Sequence, residues 1–162
     1  MTELSDLSSS PFPKTARLSK SKFLSGLQCH KRLYLEVHYP SLATKPDAAT
    51  QAMFDMGTEV GELARSRFPD GILVTAGYRQ SEAALEQTAA LVQDLAVPAI
   101  FEGAFVHDGV LIRADVLERV RTEQGQFCAW RLIEVKSSTK VKDVHLEDLA
   151  VQSGVILGAG LA

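Results

Sequence analysis

The pair Asp108-Gly109 stands between two apolar-rich runs, Ile100–His107 and Val110–Val120. A two-residue link between strands needs positive φ at both positions, which Asp-Gly adopts readily, so the runs are predicted to form an antiparallel hairpin. Pairing His107 with Val110 fixes the register and sets Glu102 opposite Asp115. A second turn, Thr122–Gln126 with Gly125, leads to a third strand over Phe127–Ser137. The length of that turn sets Asp115 opposite Leu132, Ile133 or Glu134. Opposed residues of an antiparallel pair share a face, and so do residues two apart in one strand. Glu102, Asp115, Glu134 and Lys136 are therefore expected in one patch on three neighbouring strands.

Helices flank this unit. Ser19 or Ser21 can cap a helix over Lys22–His38, which Pro40 ends. A second helix is predicted over Asp47–Arg67, with an apolar stripe of Met53, Met56, Val60, Leu63, Ala64 and Phe68. Gly57 and Gly61 sit in that stripe, and each weakens a helix by about 1 kcal/mol, so close helix–sheet packing is expected there. Gly71–Ala76 reads as a short buried strand, Ser81 caps a helix to Leu95, and Asp143 caps a last helix over Val144–Ala159. The order α–β–α–β–β–β–α gives a mixed α/β domain over residues 18–162, preceded by a Ser/Pro-rich, disordered lead-in over residues 1–17. The apolar end VILGAGLA either docks into the core or marks a fragment of a longer chain; the fragment is the expectation.

Composition narrows the function. A chain of 162 residues, 46% hydrophobic and 23% charged, can bury a core without disulfides. The net charge of −3 argues against a protein that coats nucleic acid non-specifically, though not against a local basic groove. Two cysteines cannot by themselves make a zinc site or an iron–sulfur cluster, and such low usage suits the cytoplasm. Apolar runs such as Ala96–Phe101 fall far short of the ~18–20 residues that cross a bilayer, so no membrane role is expected.

Three carboxylates gathered among Val110, Ile112, Leu132, Ile133 and Val135 repel one another and lose hydration. A divalent cation removes that penalty, and hard oxygen ligands favour Mg²⁺ or Mn²⁺. A lysine alongside can orient water or stabilise charge on a phosphate, a set that suits phosphodiester hydrolysis. Taken alone, the Glu-Val-Lys spacing is a weak signal, and solvated residues on the outer face of a half-exposed strand account for Glu134, Lys136 and Asp115 more readily.

Arg113–Arg119 (RADVLER), Ile133–Ser138 (IEVKSS) and Asp143–Gln152 (DVHLEDLAVQ) resemble the PD-(D/E)XK nuclease superfamily, in particular its RecB-like branch. The leader Leu18–Glu36 (LSKSKFLSGLQCHKRLYLE) and the segment Gly57–Arg65 look like those of a bacterial RecB-type family of poorly defined function. The resemblance implies a restriction-endonuclease-like mixed sheet with an α–β–β–β–α core, N-terminal helices and the final core strand missing. It implies a metal-dependent deoxyribonuclease in DNA repair, acting on DNA rather than RNA, with the rest of a longer chain or a helicase as partner. Asp115, Glu134 and the Val135 carbonyl would hold the metal with Glu102 in support, Lys136 would place water, and Gln152 would lie beside the site. A non-catalytic nucleic-acid-binding module that keeps the fold is the alternative.

Three departures stand out. Gly61 occupies the place where many members carry a histidine, with Glu62 beside it; Ile156 stands where a tyrosine is usual; and no strand follows the last helix. Cys29 sits in the setting of a first cluster cysteine, but its partners are absent, so it is expected as a buried structural thiol and no iron–sulfur cluster can form within the chain. Lys20, Lys22, Lys31 and Arg32 read as a solvated helix face, and Lys136, Lys140 and Lys142 form a second basic stretch able to hold a phosphate backbone.

Overall fold

The structure is a computed structural model and describes residues 17–161. The hairpin forms as its turn requires. Strands β3 (Ala99–His107) and β4 (Val110–Arg121) pair antiparallel with His107 opposite Val110. Asp108 and Gly109 take φ of 46° and 74°. Strand β5 (Phe127–Ile133) pairs antiparallel with β4 from Val116 opposite Ile133 onward, with an irregularity at Val120/Arg121 next to the longer turn. Two short parallel pieces complete the sheet. β2 (Ile72–Leu73) runs along β3, and β1 (Leu18–Ser19) runs along the start of β4. The chain is thus an α/β fold on a mixed sheet, with β1 and β5 sharing the edge of β4 that β3 leaves free.

One face of this sheet is closed by helices. Ala84 of α4 (Ser81–Gln93) and Val155 and Ile156 of α5 (Asp143–Gly158) pack with Ile100, Ile112, Ala114 and Leu117, and Phe23 of α1 (Lys20–Gln28) leans on the same cluster. Each large apolar side chain buried there contributes about 1.5–3 kcal/mol. The apolar end of the chain belongs to this core, since Val155 and Ile156 are buried and Leu161 packs against it. Thr88 pins α4 to β3: its hydroxyl donates to the Ala84 carbonyl and accepts from the Ala104 amide, both at 2.8 Å. Arg119 closes the far end of α4. Its guanidinium donates to the Val92, Asp94 and Val97 carbonyls at 2.9–3.0 Å and lies 4.2 Å from the Trp130 ring centre. A cation fits there because the last carbonyls of a helix lack partners and carry its negative dipole end.

The structure departs from the sequence expectations at several points. The helix over Lys22–His38 is two helices, α1 and α2 (His30–His38), with Cys29 extended between them at φ −162°. Ser19 caps the first through its hydroxyl. The break lets α2 fold back onto α1 at Gly26, where an added Cβ would lie 2.9 Å from Leu33 Cδ2. The Ser25 hydroxyl then donates to Glu36 across the two helices at 3.1 Å. Cys29 is consequently exposed, not a buried thiol. Ser81 and Asp143 begin their helices instead of capping them; Gln80 and Lys142 hold the cap positions. The lead-in over residues 1–17 lies outside the described residues except for Arg17, which pairs with Glu82 at 2.7 Å.

The second face is the larger correction. Helix α3 (Ala48–Arg65) forms, with Asp47 accepting from the Thr50 amide, but none of its residues is buried. Met53, Met56 and Leu63 are exposed, and a Cβ at Gly57 or Gly61 would meet nothing within 4 Å. The close packing expected there does not occur. The sheet surface opposite carries Glu102, Arg113 and Asp115, and an apolar stripe pressed onto it would strand those charges away from water. Among the described residues no helix is long and apolar enough to cross a membrane.

Replacing Arg119 with Met keeps an apolar side chain against Trp130 and removes the donors to three carbonyls, of which Val97's is buried. We expect a loss of about 2–4 kcal/mol in urea denaturation. A loss below 0.5 kcal/mol, the level of a neutral surface change, would refute the clamp.

Candidate active site

The site begins at a break in strand alternation. Along β4, Ile112 and Ala114 face the helix-covered core, Val116 faces a smaller cluster with Phe101 on the other side, and Leu117 faces the first core again. Strict alternation fails between Ala114 and Leu117, and Asp115 sits at the failure. On β3 the same break falls at Glu102, whose φ is +56°. A left-handed residue other than glycine inside a strand stores strain and is held only by its surroundings. The kinked pair turns Asp115 and Val116 toward one open side of the sheet, into a cleft of about 710 Å³ whose far wall is α3.

Glu134 reaches Asp115 from the position directly after β5. Of the three expected registers, the realised one pairs Val116 with Ile133 and so carries Glu134 to Asp115. The expected strand to Ser137 stops at Ile133. There the Val135 amide donates to Asp115 Oδ2 at 2.7 Å, so a side chain continues the ladder where the backbone leaves it. Burial pushes the carboxyl of Asp115 above its usual range, and burial followed by the nearby Asp115 charge does the same to Glu134. The Glu134 side chain is only 7% exposed.

Ammonium groups and one amide answer these charges. Lys136 Nζ lies 2.6 Å from Glu134 Oε1 and 2.7 Å from Asp148 Oδ2. Lys20 Nζ lies 3.3 Å from the same Glu134 oxygen and 3.0 Å from Asp148 Oδ1. Gln152, fully buried, donates from Nε2 to Glu134 Oε2 at 2.6 Å and to Asp148 Oδ1 at 3.2 Å, and its Oε1 has no partner. Burial alone would raise Asp148, but Lys136 and Lys20 outweigh it and bring its carboxyl down to about 2. The same carboxylates push Lys136 up against the opposing effect of burial.

The expected residues therefore divide into two groups. Asp115, Glu134, Lys136 and Gln152 converge. Glu102 lies on the same cleft, but its carboxylate faces Arg65 at 3.9 Å. Among the described residues no group of three or more His, Cys, Asp or Glu side chains is placed to hold a metal. The groups brought together are the carboxylates of Asp115 and Glu134, hard oxygen donors that suit a magnesium-like ion completed by water, while the Val135 backbone meets Asp115 through its amide. Gly61 lines the cleft and Arg113 reaches across it, its guanidinium 5.1 Å from the Tyr78 ring centre.

Two residues escaped the sequence reading. Asp148 stands four before Gln152, one helical turn away on the same face, so the spacing could have found it. Lys20, expected on a solvated face, lies 114 positions from Glu134 and carries no local signal. Comparison with known protein families, curated proteins and solved structures finds no match to this chain.

The shifts set opposite pH trends. Asp148 is depressed on folding, so its contribution is complete above its unfolded pKa of ~3.9 and lost as pH falls toward 2. Asp115 is raised, so its ionisation opposes folding at neutral pH and that penalty fades as pH falls. Asp115→Asn, which can still accept from Val135, should raise the melting temperature in EDTA at pH 7, with ~2–4 °C for each kcal/mol relieved. The gain should vanish below about pH 4, where both states of the wild type hold the proton. Thermal scans at the two pH values check it; a lower melting temperature at pH 7 would show Asp115 stabilising as the anion.

Proposed function

We propose that this chain is a metal-dependent nuclease of the RecB-like PD-(D/E)XK type, with a restriction-endonuclease-like version of its mixed sheet, hydrolysing phosphodiester bonds in DNA. The observation that carries this reading is the meeting of Asp115 with Glu134 at the end of the β4–β5 ladder, with the Lys136 ammonium 2.6 Å from Glu134. Asp115, Glu134 and the Val135 carbonyl would hold Mg²⁺ or Mn²⁺. Bound there, the cation neutralises charge on the phosphate and lowers the pKa of the attacking water. Lys136 orients that water and offsets charge developing on the phosphate, and Gln152 holds the second oxygen of Glu134 in place. The water oxygen bonds to phosphorus and releases a proton to solvent, the phosphorus–oxygen bond to the leaving nucleotide breaks, and the leaving oxygen takes up a proton from solvent.

The cleft fits such a substrate. Arg65 and Arg113 supply cations for a phosphate backbone, and Tyr78, 82% exposed at the cleft wall, offers a ring on which a base can stack. Glu102 adds a third carboxylate to the rim. A second reading, a nucleic-acid-binding module without catalysis, draws on one observation: Glu134 already carries two ammonium partners.

Cleavage of plasmid and single-stranded DNA is expected with Mn²⁺ or Mg²⁺ and not with EDTA. Lys136→Ala should lower the rate by at least about 100-fold. Mn²⁺ at 100 times its dissociation constant should stabilise the fold by about 2.7 kcal/mol, and Asp115→Ala should abolish that gain. DNA binding without cleavage would select the module, and no thermal response to millimolar Mn²⁺ would remove the metal site.

A further inference from the structure

The two lysines of the site share both of its inner carboxylates. Glu134 offers a single oxygen, Oε1, to Lys136 at 2.6 Å and to Lys20 at 3.3 Å. Asp148 offers each its own oxygen, Oδ2 to Lys136 at 2.7 Å and Oδ1 to Lys20 at 3.0 Å. Glu134 Oε2 is taken by Gln152. The Glu134 and Asp148 side chains are 7% and 8% exposed, so water does little to neutralise either. Lys20 comes from the opposite end of the chain. It is the first residue of α1, directly after β1, and the pairing of Leu18 and Ser19 with Val110 and Leu111 fixes where it stands.

The two carboxylates differ in what they can give up. Glu134 also faces Asp115, and together they form the proposed cation site. Asp148 stands behind, on α5, with each oxygen already facing an ammonium. We infer that Asp148 is a positioning residue that keeps both ammoniums seated when Glu134 shares its charge with a cation, and that Lys20 is the internal counter-charge against which that cation competes. This rests on the reading of Asp115 and Glu134 as a metal site.

Charge balance gives the inference a sign. Three carboxylates against two ammoniums leave the site one charge negative. Without Lys20 the deficit doubles and suits a divalent cation better. Without the charge of Asp148 the site is already neutral, and both ammoniums have only Glu134 to hold. A merely structural role for either residue would weaken metal binding in both variants, whereas the shared seat predicts opposite changes.

The test is Mn²⁺ titration of the full chain by calorimetry, without nucleic acid. Lys20→Met should bind Mn²⁺ at least about fivefold tighter, and Asp148→Asn at least about fivefold weaker, the lower bound set by one charge at the dielectric of water. Lys20→Arg should return to the wild-type value. Asp148→Asn should also lower kcat on DNA with KM little changed, because Lys136 loses its second anchor. Weaker Mn²⁺ binding by Lys20→Met overturns the inference, and that variant carries the test alone if Asp148→Asn fails to fold.

A second arm needs no metal. In EDTA each single variant should lower the melting temperature, and the double variant should lose less than the sum of the two, since both remove the Lys20–Asp148 contact. Additive losses overturn the shared seat. A wild type that binds no Mn²⁺ while the EDTA cycle is non-additive overturns the proposed function and the competition with it, and leaves the seat standing.

Discussion

Where β5 leaves β4, the Val135 amide donates to the carboxylate of Asp115 at 2.7 Å instead of to a backbone carbonyl. Most of the site's order follows from that bond. It fixes one oxygen of Asp115, ends the ladder one residue before Glu134, and sets Glu134 and Lys136 on the same side as Asp115. A charge-assisted bond of this kind is shorter and stronger than a backbone pair, so the third strand is held at its end by a carboxylate of the candidate site. Burial raises the carboxyl of Asp115, and the bond from Val135 opposes that rise without cancelling it.

Burial of that pair has a consequence for the rest of the molecule. Two carboxylates in contact with Ile133 and Val135 cannot both be charged unless cations stand near. The chain brings those cations from two distant places, Lys136 beyond β5 and Lys20 at the start of α1. The N-terminal strap, with only two paired residues in β1, thereby becomes part of the site. Gln152 on α5 completes the inner layer, and the helix that carries it is the same one whose Val155 and Ile156 anchor the main core. Core packing and site geometry are joined through one helix.

The two faces of the sheet are unequal for the same reason. Helices α1, α4 and α5 close one face with apolar side chains. The other face carries Arg113, Asp115 and Glu102 around the kinked position, and Ala99, Phe101 and Val116 with Phe68, Ile133 and Val135 form a small apolar cluster beside them. Helix α3 stands off this surface and leaves a cleft. A Cβ at Gly57 or Gly61 would meet nothing within 4 Å, and Met53, Phe54, Thr58 and Arg65 of the same helix line the cleft beside them.

Short-range chemistry was legible in the chain itself. Asp108-Gly109 determined the first hairpin and its register, because a two-residue turn with positive φ allows one pairing. The turn at Gly125 narrowed the second to three registers, and the shared face of Glu134 and Lys136 followed from their spacing. Tertiary structure decided what spacing cannot carry. It chose the register that sets Glu134 beside Asp115, broke the first helix at Cys29 so that Gly26 could receive Leu33, and held α3 off the sheet because that surface is charged. It also delivered Lys20 and Asp148 to Glu134. The reason is physical: hydrogen-bonded turns and strand periods act between near neighbours, whereas the neutralisation of buried charge depends on groups that meet only after the chain has folded.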